Sequence, residues 1–294
     1  MPLQLLLAIP SPPVKLSVLL TGFQTNPLAL LALLLELISA GLYLLGVKTM
    51  ASKGRKWPVL RTASFLGGIA IVFLATGSGI AAYDDTVFTM HVIQHLMLMN
   101  MAPMLIALSA PMTLLLQASK KPVQTKTIKF LHSKVISVIT FPVTAWLINY
   151  STMYIYFLTP VYQLSIEHPL FHDYTHLHFL VAGLIFWTTL IGVDPIRWKM
   201  SYGAKLAYLL IGIPFSTFLG IALTSERVSI SPAHTLADVH AGGAVLWVFG
   251  EVFTVGALAI IFFQWAKHEE RAARRADNEL YRQNSNPKPD AIQP

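Results

Sequence analysis

Apolar residues along the chain gather into blocks of about 20, the length needed to cross a bilayer as a helix, and short polar stretches separate the blocks. They predict seven membrane-spanning helices, over Pro27 to Val47, Thr62 to Tyr83, Val87 to Leu108, Val135 to Leu158, Pro169 to Val193, Tyr202 to Leu223 and Val239 to Trp265. The expected fold class is therefore all-α, a polytopic membrane protein with its membrane domain over residues 27–266. Residues 1–26 carry Pro10, Pro12 and Pro13 and lack a basic leading region. They read as a membrane-surface segment and not as a cleavable signal. Residues 267–294 are polar, Arg-rich and Pro-containing, which predicts a disordered tail. Pro103 is expected to kink the third helix, and Asp84 and Asp85 to close the second.

Charge orients this pattern. If the N-terminus lies outside and the C-terminus in the cytoplasm, only Lys15 and Arg227 of the 21 basic residues stay outside, as the positive-inside rule requires. The net charge of +7 would otherwise point to nucleic acid. Here the basic residues sit between apolar blocks, and no basic, aromatic-interleaved soluble domain exists to bind it. The chain has no cysteine, which excludes disulfides, thiolate metal sites and cysteine nucleophiles. Any metal must be held by histidine, methionine, carboxylate or carbonyl.

The same orientation sorts the ten histidines. His91 and His95, in Met90-His-Val-Ile-Gln-His95, are four residues apart and share a helix face about 6 Å apart, the spacing from which one helix offers two imidazoles to one ion. His168, His172, His176 and His178 fall at the outer end of the fifth helix, and His234 and His240 at that of the seventh. Only His132 and His268 face the cytoplasm. Eight imidazoles from three segments at one membrane face predict a metal or cofactor site, because histidine near lipid is costly unless paired, ligated or wet. The alternative is a set of interfacial residues bonded to backbone and water. His172 and His176 share a face, whereas His178 is turned about 160° from His176, so not all can ligate one ion.

Asp238 precedes His240 in Asp238-Val-His-Ala-Gly-Gly243, where the glycines allow close approach of another helix. It is expected to cap its own helix, with orientation of a histidine as the alternative. Met90, Met97, Met101 and Met104 line a stripe with Gln94, rotated some 100° from the histidine face. Such a stripe is expected to be packing, although thioethers suit Cu(I). Met90, level with the histidines, is the ligand candidate among them. Two acids lie inside apolar spans, Glu36 and Glu251. They mark either an ion or proton route or protonated groups bonded across helices.

A set of ordered motifs carries a family resemblance: Tyr43-Leu-Leu-Gly-Val47, Lys56-Trp-Pro58, the His91 and His95 run with Ala102-Pro103, Ser109-Ala-Pro111, Thr175-His-Leu-His-Phe179, Phe186-Trp187, Gly192-Val-Asp-Pro195, and Asp238 to Gly243 with Trp247 and Gly250-Glu251. Over roughly residues 27 to 266 the chain resembles the CtaG family of cytochrome c oxidase assembly factors, itself similar to CopD-type copper-resistance proteins. The resemblance implies a bacterial plasma-membrane protein that helps copper reach the metal centres of an oxidase, with oxidase subunits as partners and an extracytoplasmic copper chaperone as a candidate donor. No turnover chemistry is implied. The family motifs fall on His91, His95, His176, His178 and His240, while His168, His172 and His234 rest on placement alone. The expected ligand set for Cu(I) or Cu(II), with zinc as the alternative metal, is His91, His95, His176 and His240, completed by His172 or His178 and by Met90. Three other readings fit the residues. One is a zinc hydrolase with Asp238 or Asp173 as acid or base, one a b-type haem protein, and one a copper transporter with a polar path past Glu251 and Glu36.

Overall fold

The computed structural model describes residues 13–285, so residues 1–12 of the expected surface segment and 286–294 of the expected tail lie outside the described residues. The regular elements are helices: α1 (Leu16–Thr21), α2 (Pro27–Ser52), α3 (Val59–Thr76), α4 (Phe88–Leu96), a π-helical turn (Met97–Met101), α5 (Ala102–Leu108), α6 (Pro111–Ala118), α7 (Lys121–Leu131), α8 (Lys134–Ile139), α9 (Pro142–Leu158), α10 (Val161–Glu167), α11 (Pro169–Ile191), α12 (Tyr202–Thr224) and α13 (Leu236–Ser285).

Among the described residues, six stretches are long and apolar enough to cross a membrane: α2, α3, the run Phe88–Ala118, α11, α12 and Leu236–Tyr281 within α13. Their outward faces are apolar, with Leu37, Leu42, Phe218 and Phe263 all exposed. The expected fourth span is broken in two. Phe141, which precedes Pro142, takes an extended conformation because the proline ring disfavours a helical residue before it, and α9 is left with 17 residues.

Two other boundaries differ from expectation. The second span stops at Thr76, where Gly77 caps it, well short of Tyr83, and Asp84 and Asp85 therefore lie in a loop at the start of α4. The last helix runs on to Ser285 where a disordered tail is expected. Its extension is rich in helix-forming Ala, Glu and Arg and carries an Arg274–Glu270 pair at helical spacing, 2.6 Å apart.

The third span departs from regular α-helix at Met97–Met101 for an identifiable reason. Pro103 has no N–H to give to the carbonyl four residues earlier, that of Met99. The Trp187 indole N–H donates to this carbonyl instead, at 3.1 Å, and the backbone widens into the π turn. Gly183 makes the approach possible, since a Cβ there would collide with the Met99 carbonyl. Met97 is buried in the surrounding core and Met101 packs against it, so this part of the methionine stripe is packing.

Two helices have no capping side chain of their own and take one from far along the chain. α4 receives both Asp238 oxygens, with Phe88 N donating at 2.7 Å, Thr89 N at 3.1 Å and the Thr89 hydroxyl at 2.7 Å. α6 begins after Ala110, which is in the left-handed region at φ 55°. It receives Asp194, with Met112 N donating at 3.2 Å and Thr113 N and hydroxyl at 2.8 and 2.7 Å. Burial pushes the Asp194 carboxyl up from its ordinary value, against those donated bonds. Such carboxylates satisfy helix N–H groups and oppose the positive end of the helix dipole.

Candidate metal centre

α4 and α11 begin at the same end of the molecule and present their histidines to each other in two layers. The His91 and His172 rings stack with centroids 5.2 Å apart, and one turn further in the His95 and His176 centroids are 5.5 Å apart. Along each helix the neighbouring centroids are 4.4 Å apart. All four side chains are buried.

The Asp84-Asp85 loop closes this rectangle. The Asp84 carbonyl lies 3.2 Å from His91 Nδ1 and the Asp85 carboxylate 3.3 Å from His172 Nδ1. A carbonyl only accepts, so His91 Nδ1 carries the proton and Nε2 the lone pair, which faces the Tyr156 hydroxyl at 3.0 Å. Asp84 Oδ2 accepts from Gln94 Nε2 at 2.7 Å and stands 3.9 Å from His176 Nε2. Burial, and after it the Asp85 charge, pushes the Asp84 carboxyl up to about 7.

What sets the cluster apart is what it leaves unbonded. Both ring nitrogens of His95, Nε2 of His172 and Nε2 of His176 are buried without a hydrogen-bond partner. Among the described residues, two groups have ligand atoms all within 4.8 Å of one another, His91 with His95 and His172, and Asp84 with His172 and His176. Neutral imidazoles and a carboxylate form a donor set that suits copper or zinc.

The other expected residues fall elsewhere. His178 is exposed and pairs with the Thr152 hydroxyl at 3.0 Å, on the far side of α11 from His176. His240 Nε2 bonds the Glu226 carbonyl at 2.9 Å. His234 is buried against Tyr162, Nε2 to hydroxyl 2.6 Å, and burial holds its imidazole below its ordinary value. His168 is exposed at the start of α11. Met90 is half-buried and about 100° round α4 from His91. Asp238 caps α4, its carboxylate accepting from the Phe88 and Thr89 N–H groups and the Thr89 hydroxyl. Asp173 is exposed.

Neither intramembrane acid joins the cluster. Glu36 accepts from Thr76 at 3.4 Å, and Glu251 accepts from Ser216 at 2.8 Å and Thr217 at 3.0 Å across the α12–α13 seam. The residues missed in the sequence are Asp84, Asp85 and Tyr156. A signal for the first two was present, an acid pair a few residues before His91 in a stretch rich in glycine.

Comparison with known proteins agrees with the motif pattern. The model of the cytochrome c oxidase caa3 assembly factor family (Caa3_CtaG) matches residues 41–268. Uncharacterised proteins of Mycobacterium bovis and Mycobacterium tuberculosis are 28% identical to the chain, and one of Mycobacterium leprae is 30% identical, each over 253 residues. These alignments cover 80% of this chain and 38% of each relative, so the chain spans well under half the length of the curated relatives it matches. No solved structure matches it.

Proposed function

On the premise that this chain belongs to the cytochrome c oxidase caa3 assembly factor family, we propose that it holds copper in the histidine cluster and hands it to an oxidase subunit by ligand exchange. The observation that carries this reading is the set of four buried imidazole nitrogens without partners at one point. An unsatisfied buried polar group costs about 1–3 kcal/mol, and a bound ion removes that cost for several at once. The ligand atoms that lie close enough to share an ion are those of His91, His95 and His172, or of Asp84, His172 and His176, with His91 joining when its Nε2 exchanges the Tyr156 hydroxyl for the ion. Asp85 and the Asp84 carbonyl hold His172 and His91 by their other nitrogens, which orients the rings. Copper here is cargo, so the chain's task is to bind it, keep it from water and release it.

The proposal includes a topology and a place. The chain is taken as seven spans in the bacterial plasma membrane, N-terminus outside and C-terminus in the cytoplasm, which puts the cluster at the outer face. The support for the seventh crossing lies in α9. Its start follows Thr140, which bonds Thr189 near the end of α11, while its last turns bring Tyr156 to His91 beside the start of α11. Seventeen residues cover about 26 Å at 1.5 Å each.

The test is complementation. In a host lacking its own copy of this factor, wild-type protein is expected to restore copper-containing oxidase in the membrane, and a His95→Ala, His176→Ala protein that inserts at wild-type level is expected not to. Full restoration by that variant would overturn the copper reading.

A further inference from the structure

The cluster contains two overlapping ligand sets, and they differ in chemistry. His91, His95 and His172 form a set of three neutral imidazoles, whereas Asp84, His172 and His176 form one of two imidazoles and a carboxylate, and His172 belongs to both. We propose that the centre is a two-position site in which one ion at a time occupies either an all-imidazole position selective for Cu(I) or a carboxylate-containing position selective for a divalent ion such as Zn(II) or Cu(II). This deepens the metal-centre reading above and rests on it.

Four observations place the positions. First, His172 has a single donor to offer. Its Nδ1 faces the Asp85 carboxylate at 3.3 Å, and Nε2 is the buried nitrogen without a partner. One lone pair serves one ion, so the two positions exclude each other. Second, the gap between Asp84 Oδ2 and His176 Nε2 is 3.9 Å, too long for a hydrogen bond and about the span across a shared ion whose bonds are about 2.1 Å each. Asp84 is held for this by the Gln94 amide at 2.7 Å. Third, His95 has both ring nitrogens free and is not in the carboxylate set, so an all-imidazole position can form without disturbing Asp84. Tyr156 would give up His91 Nε2 and keep its Ser165 hydroxyl contact at 2.8 Å.

The fourth is access. Asp85, the partner of the shared ligand, is 61% exposed, whereas His91 is fully buried. The cluster thus meets water at the Asp85 carboxylate, beside the shared ligand His172. Chemistry then assigns the ions. An anionic oxygen donor favours a divalent ion, and a set of neutral nitrogen donors with low coordination number suits monovalent copper in a chain that has no thiolate.

The experiment uses full-length protein purified in detergent and stripped of metal, titrated with Cu(I) against a competing chelator and separately with Zn(II). Wild type is compared with Asp84→Asn, His95→Gln and His172→Ala, each first checked for monodispersity and an unchanged thermal transition. Wild type is expected to take one equivalent of either ion and to release Zn(II) as Cu(I) is added. Asp84→Asn should weaken Zn(II) by about tenfold or more and leave Cu(I) within about threefold, His95→Gln should do the reverse, and His172→Ala should weaken both. Equal loss of both ions in Asp84→Asn and His95→Gln, or simultaneous retention of Cu(I) and Zn(II) by wild type, would overturn the two-position site while leaving a metal centre. Failure of wild type to bind either ion would overturn the metal centre itself, and this inference with it.

Discussion

The histidine cluster and the Glu251 seam both set polar side chains among apolar helices, and they treat those groups in opposite ways. Glu251 reaches from α13 to α12 and accepts from both Ser216 and Thr217. The cluster leaves His95, His172 and His176 with buried nitrogens that no protein group satisfies. A polar group that serves only to join helices is expected to be saturated by its neighbours, because the unmet alternative is costly in an apolar setting. Unmet capacity concentrated at one point is what a ligand site looks like before its ligand arrives.

The sharpest way to break this comparison is to remove the unsatisfied donors. A His95→Ala, His172→Ala protein is expected to bind Cu(I) about 100-fold more weakly than wild type or worse, measured by chelator competition. A smaller effect is expected from the cap that holds α4 in place. Asp238→Ala removes a carboxylate accepting three bonds and should cost about 2 kcal/mol of stability, read as a lower thermal transition in detergent, with copper binding weakened only as α4 loosens. At the seam, Glu251→Gln keeps an acceptor for Ser216 and Thr217 and should shift stability by less than about 1 kcal/mol without changing copper affinity; lost copper binding there would erase the distinction. The smallest change is expected of His178→Ala, since His178 is exposed and bonded to Thr152. Its copper affinity should stay within about threefold of wild type.

The parts of the cluster that could be read from sequence are those set by local periodicity. His91 with His95 and His172 with His176 are each four apart, and helical geometry alone puts each pair on one face. The same geometry separates His178 from His176, although the resemblance groups them. What periodicity does not carry is the end of a helix and the partner across space. The second span was expected to run to Tyr83, and its stop at Thr76 is what frees Asp84 and Asp85 to close the site. Asp238 reaches Phe88 and Thr89 across about 150 residues of chain, and Asp194 caps α6 in the same way. Both aspartates belong to motifs that carry the family resemblance, and each caps a helix distant in the chain. His240 was expected among the ligands because a family motif falls on it at the outer end of the seventh helix, but its Nε2 bonds the Glu226 carbonyl. The fold class was legible from the apolar blocks, while the break before Pro142 and the helical run to Ser285 depend on single residues and on composition that favours a helix over a disordered tail.

The most direct measurement of the central claim is X-ray absorption at the copper edge on purified wild-type protein loaded with one equivalent of Cu(I). The account predicts about three nitrogen scatterers at about 2.0 Å with the outer-shell pattern of imidazole and no sulfur. A sulfur scatterer would move the site to the methionines, and protein that retains no copper after loading would contradict the account.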